Sequence, residues 1–550
     1  MQSNDQAGAR RSDNDIDWNF KMSKKEYHET HGSMNTHTLS TEFTLQEACT
    51  IIRELRENVA RHEQLLERIA TFLQLPAIPP PAWMPSRVMR SVIEHSTSAI
   101  KVTKIQSPDR DDVVTELHNT WLGRIYRTHM KHYSAVRWLV QWIWRNGYPI
   151  YINYVAMPFS NWEKRKWRPL TKLSEFIKKS GIQTCKLADS TLVNTPEPKV
   201  FPACDQGYLV SPHDRYEFPE ILIATINNPI VYGGTNLIIV NGEVICHDLY
   251  DFRRDYTSEE LHGRIQIDPK SGRIRWLLPD VAPEPITKAA AFVDACAPNY
   301  AHWMTEVLPR ISMFCAEERF KDVPIVVNDG LHRNILESLF WVVGDSREII
   351  TLPIGRALAV DELYLTSMAG YVPFERRTNK LSGHSHGMFS PLAFDILRNH
   401  INAMVQNTNE EVWPEKIFLR RGPGTRNFIN TTEVENLMVT HGFVAVEPEK
   451  LTFSQQVQLF RNAKIIVGSS GAAFANIIFA SQNAKILIFI SKHPDTSYWY
   501  WQNVAAASGK NVSYILGKMN ANDSNGIHAD YIVDLDVLEP IIEREMNNNW

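Results

Sequence analysis

Near its C-terminal end the chain carries four short apolar runs, each followed by a helical period, and this alternation limits the possible folds more than any other feature. Lys416–Leu419, Phe443–Val446, Ile465–Val467 and Ile486–Ile490 read as buried strands. The intervening segments read as helices: one carries Val434, Leu437 and Met438 and is stopped by Gly442, one runs over Ser454–Arg461, and one extends to Ala480. Strands that alternate with helices in this way predict a parallel, Rossmann-like sheet.

Upstream, the signal is strand-rich from 220 to 280, where Leu237–Ile245 reads as a hairpin about Asn241-Gly242. Alternation then resumes: Ile325–Val327, a helix with Leu331, Ile335, Leu339 and Val342, and strands at 349–352 and 358–365. The first 40 residues are polar and read as disordered. Over 41–78, Leu45, Ile52, Leu55, Val59, Leu66, Ile69 and Leu73 keep a helical period that suits either a dimerising coiled coil or an amphipathic helix packed on its own domain. Ile78-Pro79-Pro80-Pro81 ends that helix.

Residues 79–210 form a Trp/Arg-rich accessory region in which Trp121, Trp138, Trp142, Trp144, Trp162 and Trp167 are interleaved with Arg and Lys. Such a segment suits peripheral contact with an anionic membrane surface, a groove for an acidic or carbohydrate acceptor, or a Trp-rich core with a basic rim. A net charge of −4 gives no reason to expect nucleic-acid binding. Six scattered cysteines without a CxxC pair predict reduced thiols and no zinc site. No apolar leader or membrane-spanning run is found, so the expected location is the cytoplasm.

Two motifs carry chemistry. In Asn299-Tyr300-Ala301-His302-Trp303-Met304-Thr305-Glu306-Val307-Leu308-Pro309-Arg310, the residues His302, Glu306 and Arg310 step by four along one helix face. Trp303, Val307, Ile311 and Phe314 form the buried stripe beside them, and Pro309 predicts a kink. A His–Glu pair one turn apart can orient an imidazole as general base, or can simply tie the helix to its neighbours. Asp294 is a second carboxylate able to reach the same place. His384 and His386 lie in another polar loop, without the partners a metal site needs.

In the second motif, Gly468-Ser469-Ser470-Gly471-Ala472-Ala473 joins a strand to a helix, where small residues and free amides suit phosphate. It is neither a GxGxxG nor a P-loop fingerprint. Arg420, Arg421 and Arg426 are placed at the same sheet edge and can bind a diphosphate bidentately. Glu447 and Glu449 follow the next strand, as ribose ligands or as surface turn residues.

Taken in order, Asn299-Tyr300-x-His302-Trp303-x-x-Glu306-x-Leu308-Pro309-Arg310, Arg420-Arg421 with Arg426 and Asn430, Gly442-Phe443, Glu447, Gln455-Gln456 and Gly468-x-x-Gly471-Ala472-x-x-x-Asn476-x-x-Phe479 resemble glycosyltransferase family 61. The resemblance covers roughly residues 220–515. It implies a GT-B fold, with an N-terminal acceptor lobe over 211–395 and a C-terminal nucleotide-sugar lobe over 396–550. It also implies inverting hexosyl or pentosyl transfer from a nucleotide sugar, usually a UDP-sugar, without an essential metal. The expected acceptor is a glycan or glycolipid precursor of a bacterial surface polysaccharide, capsule or lipopolysaccharide, handled at the inner face of the cytoplasmic membrane.

On this reading His302, Glu306 and Asp294 are catalytic candidates. Arg420, Arg421, Arg426, Glu447, Glu449, Ser470, Gly471, Ala472, Ala473 and Asn476 face the donor. Asn299, Tyr300, Trp303, Arg310, His384 and His386 line the cleft. Ser470 stands where many members carry His. Two alternatives stay open: a non-catalytic scaffold, and an enzyme using an ADP-, GDP- or CMP-activated sugar.

Overall fold

A computed structural model describes residues 101–105, 167–209, 214–345, 347–374, 387–405, 412–421, 429–492, 499–519 and 530–547. The chain divides into Met1–Ala82 and Trp83–Trp550, and all described residues belong to the second unit. The tail at 1–40, the helix at 41–78 and most of the Trp/Arg segment lie outside them.

The fold is α/β, built on two large sheets. In the first sheet five parallel strands lie side by side, in the order Val102–Lys104, Ile349–Leu352, Ile325–Asn328, Glu284–Ala291, Ala357–Thr366. Ala357–Thr366 then pairs antiparallel with Ile221–Asn227 and Ile230–Tyr232, and the sheet runs on through the hairpin Ile238–Val240/Glu243–Cys246 to Trp167–Lys172. Asn241 and Gly242 both take positive φ, 50° and 83°, as the tight hairpin turn requires. This sheet is mixed, not purely parallel.

The second sheet holds five parallel strands ordered Val444–Val446, Lys416–Leu419, Ile465–Ser469, Lys485–Ser491, Val512–Met519. Chain order reverses at Lys416–Leu419, so the carboxyl ends of this strand and of Ile465–Ser469 form the topological switch point, where open α/β sheets leave a ligand crevice. Gly468 serves the packing of these strands, since a Cβ there would sit 2.8 Å from the Leu419 carbonyl oxygen. Lys199–Phe201 adds a further parallel strand beside Val512–Met519. Described parts of the 79–210 region are thus built into both sheets, and Trp167 is a buried strand residue.

Side-chain alternation shows how the sheets are covered. Ile325 and Val327 of the first sheet, and Ile486, Ile488 and Ile490 of the second, join one apolar cluster with Ile311, Phe314, Leu339, Leu397, Val457 and Phe474 from the helices. Their neighbours face away: Val326 packs with Leu173 and Phe176, and Leu487 and Phe489 pack with Val434, Met438 and Leu538. The sheets therefore share a continuous core through helices that both of them contact. Among the described residues no helix is long and apolar enough to cross a membrane.

Candidate active site

The helix of the first motif is irregular for a readable reason. Asn299 caps it, its side chain accepting from the Ala301 amide at 3.0 Å. Tyr300–His302 is α-helical, Trp303–Val307 is a π turn, and Leu308–Cys315 is α-helical again. Pro309 cannot donate to the preceding turn, and the wide turn falls just before it. Gly370 packs against the Thr305 carbonyl, which a Cβ would approach to 2.2 Å. The expected kink is therefore a π turn, buried on all sides. Trp303 is wholly buried and donates to Ser338 Oγ at 2.8 Å, so it belongs to the core.

His302 Nδ1 is hydrogen-bonded to Glu306 Oε1. Asp294, beyond the carboxyl end of Glu284–Ala291, accepts from the Cys296 amide and from Asn236 Nδ2, each at 2.8 Å. Asn328 fixes its backbone, accepting from the Asp294 amide and donating to its carbonyl. Opposite lies Glu259, 2% exposed, which accepts from Thr235 Oγ1 and Ser258 Oγ at 3.1 Å and from the Asn236 amide at 3.3 Å. Asn236, Glu259, Asp294, His302 and Glu306, with Tyr371, line a cavity of about 20 Å³, room for one water-sized group, and His247 lies on its wall.

Charge is crowded here. Burial and then Asp294 raise the Glu259 carboxyl above its usual value. Burial also raises Glu306, against the pull of His302. For His302, burial alone would lower the imidazole, but the charge and hydrogen bond of Glu306, with Asp294, carry it above its ordinary value. Arg310 is pushed down to about 10 by burial, with Asp294 and Glu306 opposing; its guanidinium lies 5.2 Å from the Phe292 ring centroid. His247 is driven down to about 3 by burial and by Arg310 and Lys172, so it is neutral. With Nδ1 held by a carboxylate, His302 has Nε2 left for proton transfer.

At the crevice of the second sheet, the Arg421 guanidinium donates to the Ser470 carbonyl and lies over Gly471, where a Cβ would come within 3.1 Å of it. Burial pushes Arg421 below its ordinary value. Ser470 donates its amide to the Phe489 carbonyl and accepts at Oγ from the Trp501 indole, both at 2.9 Å. Ala472 and Ala473 open a 3₁₀ helix, Ala472–Phe479, in place of the expected α-helix. Arg420 is turned to carboxylates: Nε lies 2.7 Å from Glu435, and Glu447 is 3.6 Å away and also bound by Lys450. Glu449 is exposed beside them. Arg426, His384 and His386 lie outside the described residues.

The two motifs meet directly. Tyr300 donates to Asn476 Oδ1 at 2.7 Å, and Asn476 Nδ2 donates to Gln456 Oε1 at 2.8 Å. Asn476 thus ties the second sheet's helices to the first motif. Sequence reasoning missed Asn236, His247, Glu259, Tyr500 and Trp501. For Glu259 a signal existed: Thr257 and Glu260 form a capping box, which marks the helix start but not the direction of its neighbour.

Residues 300–487 match the family model described as Glycosyltransferase 61, and this stretch is a glycosyltransferase family 61 domain. No curated protein matches the chain. Among solved structures, a thiosulfate sulfurtransferase from Pseudomonas aeruginosa aligns at 9% identity and a TM-score of 0.15, covering 46% of this chain and 46% of that one. So weak a likeness carries no argument about fold or function.

Proposed function

We propose that this protein is an inverting glycosyltransferase of GT-B type that moves a hexosyl or pentosyl group from a nucleotide sugar, a UDP-sugar first, to a hydroxyl of a glycan or glycolipid acceptor. The observation that carries the reading is the carboxylate-held imidazole His302–Glu306 lying beside Tyr500, whose ring packs on Trp501, the residue that bonds Ser470 in the loop covered by Arg421. The nucleotide diphosphate would lie at the crevice, held by Arg421 and the amides that open Ala472–Phe479. His302 Nε2 takes the proton of the acceptor hydroxyl as its oxygen attacks the anomeric carbon, and the C–O bond to the diphosphate breaks. Arg421 and the loop amides stabilise the charge that develops on the leaving group. Arg420 and Glu447, already paired with other side chains, shape the rim.

The test is a thermal-shift and calorimetric panel of UDP, GDP, CMP and ADP with wild type, Arg421→Ala and His302→Ala. The expected result is one nucleotide that stabilises wild type and His302→Ala but not Arg421→Ala, with transfer abolished in His302→Ala. Binding of no nucleotide would favour the scaffold alternative, and binding of a nucleotide other than UDP would change the donor class.

A further inference from the structure

Helix Trp499–Ala507 carries two adjacent aromatic residues that reach opposite halves of the candidate site. Trp501, 6% exposed, donates its indole N–H to Ser470 Oγ at 2.9 Å. Tyr500 is bonded through its hydroxyl to Thr305 Oγ1 at 2.7 Å. The Thr305 hydroxyl spends its proton on the Ala301 carbonyl at 2.8 Å, so Tyr500 is the donor in that pair. The Tyr500 ring lies 6.3 Å from His302 and 4.5 Å, edge to face, from Trp501. Phe374 flanks His302 as well, at 6.1 Å, and Glu306 and Asp294 are the charged groups acting on it.

We infer that Tyr500 and Trp501 are positioning residues that join the 469–471 loop to the His302–Glu306 pair, so that a ligand seated on the loop alters the setting of the imidazole. The inference rests on the proposed role of that loop in donor binding. Trp501 can hold its hydrogen bond only while Ser470 keeps its place. Tyr500, one residue away on the same helix, cannot shift without dragging Thr305 and the π turn that carries Glu306, the partner of His302. Both residues are tied at ring and at polar atom, so a displacement at one end is passed on as a rigid step.

The experiment follows the His302 ring resonance by NMR on histidine-labelled full-length protein, assigned by loss of the signal in His302→Gln, with UDP as probe. In wild type, UDP should displace the resonance. In Trp501→Phe and Tyr500→Phe, UDP should still bind by calorimetry and the displacement should vanish. An undiminished displacement in both variants would overturn the inference. A second arm needs no nucleotide: Ser470→Ala should shift the His302 resonance in wild type but not in Trp501→Phe, because both changes remove the same hydrogen bond. Equal shifts in the two backgrounds would also overturn it. If UDP fails to bind wild type, the choice of UDP as donor nucleotide falls and the second arm decides this inference alone. Melting temperatures of all variants check that each is folded.

Discussion

His302 is where single residues decide most. In the proposed mechanism its neutral form is the base, and its folded value is raised, so turnover should increase with pH through a midpoint above the ordinary 6.5. Glu306→Gln removes the carboxylate and leaves burial opposed only by Asp294, so that midpoint should move to lower pH while turnover falls; a pH–kcat/KM profile of both proteins checks this. Arg421→Ala should reduce kcat by about 100-fold, the usual cost of one leaving-group stabiliser, as single-turnover kinetics would show.

Lys510 is a separate case. It is 3% exposed, donates to the Ser508 carbonyl at 3.1 Å, and is pushed down to about 7 by burial, with Arg398 adding to the shift. Its folded value lies below the unfolded 10.5, so the unfolded chain binds the extra proton between these limits. Its contribution to stability is therefore full above pH 10.5 and is lost as pH falls to about 7. Lys510→Met should gain on wild type as pH falls through that window, measured by urea unfolding at several pH values.

At the scale of elements, close approach is the theme. Gly468 lets Ile465–Ser469 lie against Leu419, and Gly468→Ala should destabilise the protein by about 1–3 kcal/mol in denaturant unfolding. The helix Phe453–Asn462 begins with its own capping box from Thr452 and Gln455, and Glu337 accepts from the Phe453 and Ser454 amides at 3.0 and 3.3 Å across the interface. The box was open to reading in Thr452-Phe453-Ser454-Gln455. The second cap was not, because Glu337 is more than a hundred residues away. Likewise Pro309 announced a broken helix, but that the break would be a π turn depended on Gly370 and the strands around it.

For the molecule as a whole, the shared core matters most. Lys199–Phe201 completes the second sheet, and Ile311, Phe314 and Leu339 lie in the cluster that its strands Lys416–Leu419 and Lys485–Ser491 also enter. A fragment comprising 396–550 alone should therefore lack fixed tertiary structure, with near-UV circular dichroism lost while far-UV signal persists. A fragment with native near-UV signal and a cooperative melt would show that the shared core is dispensable to it.

Local order was determined by the sequence itself. Short apolar runs and helical spacings marked the strands and helices of the second sheet, Asn241-Gly242 marked a hairpin turn of the first, and the first motif held His302 and Glu306 one turn apart, because each of these depends only on near neighbours. Tertiary structure alone decided that Glu259 and Asn236 face Asp294, that Asn476 receives Tyr300, that Arg420 turns to Glu435 while Arg421 covers Gly471, and that Tyr500 and Trp501 span both halves. Those are contacts between segments tens to hundreds of residues apart. Their partners are chosen by how apolar faces pack and where buried polar groups find hydrogen bonds, and no local pattern in the chain encodes either.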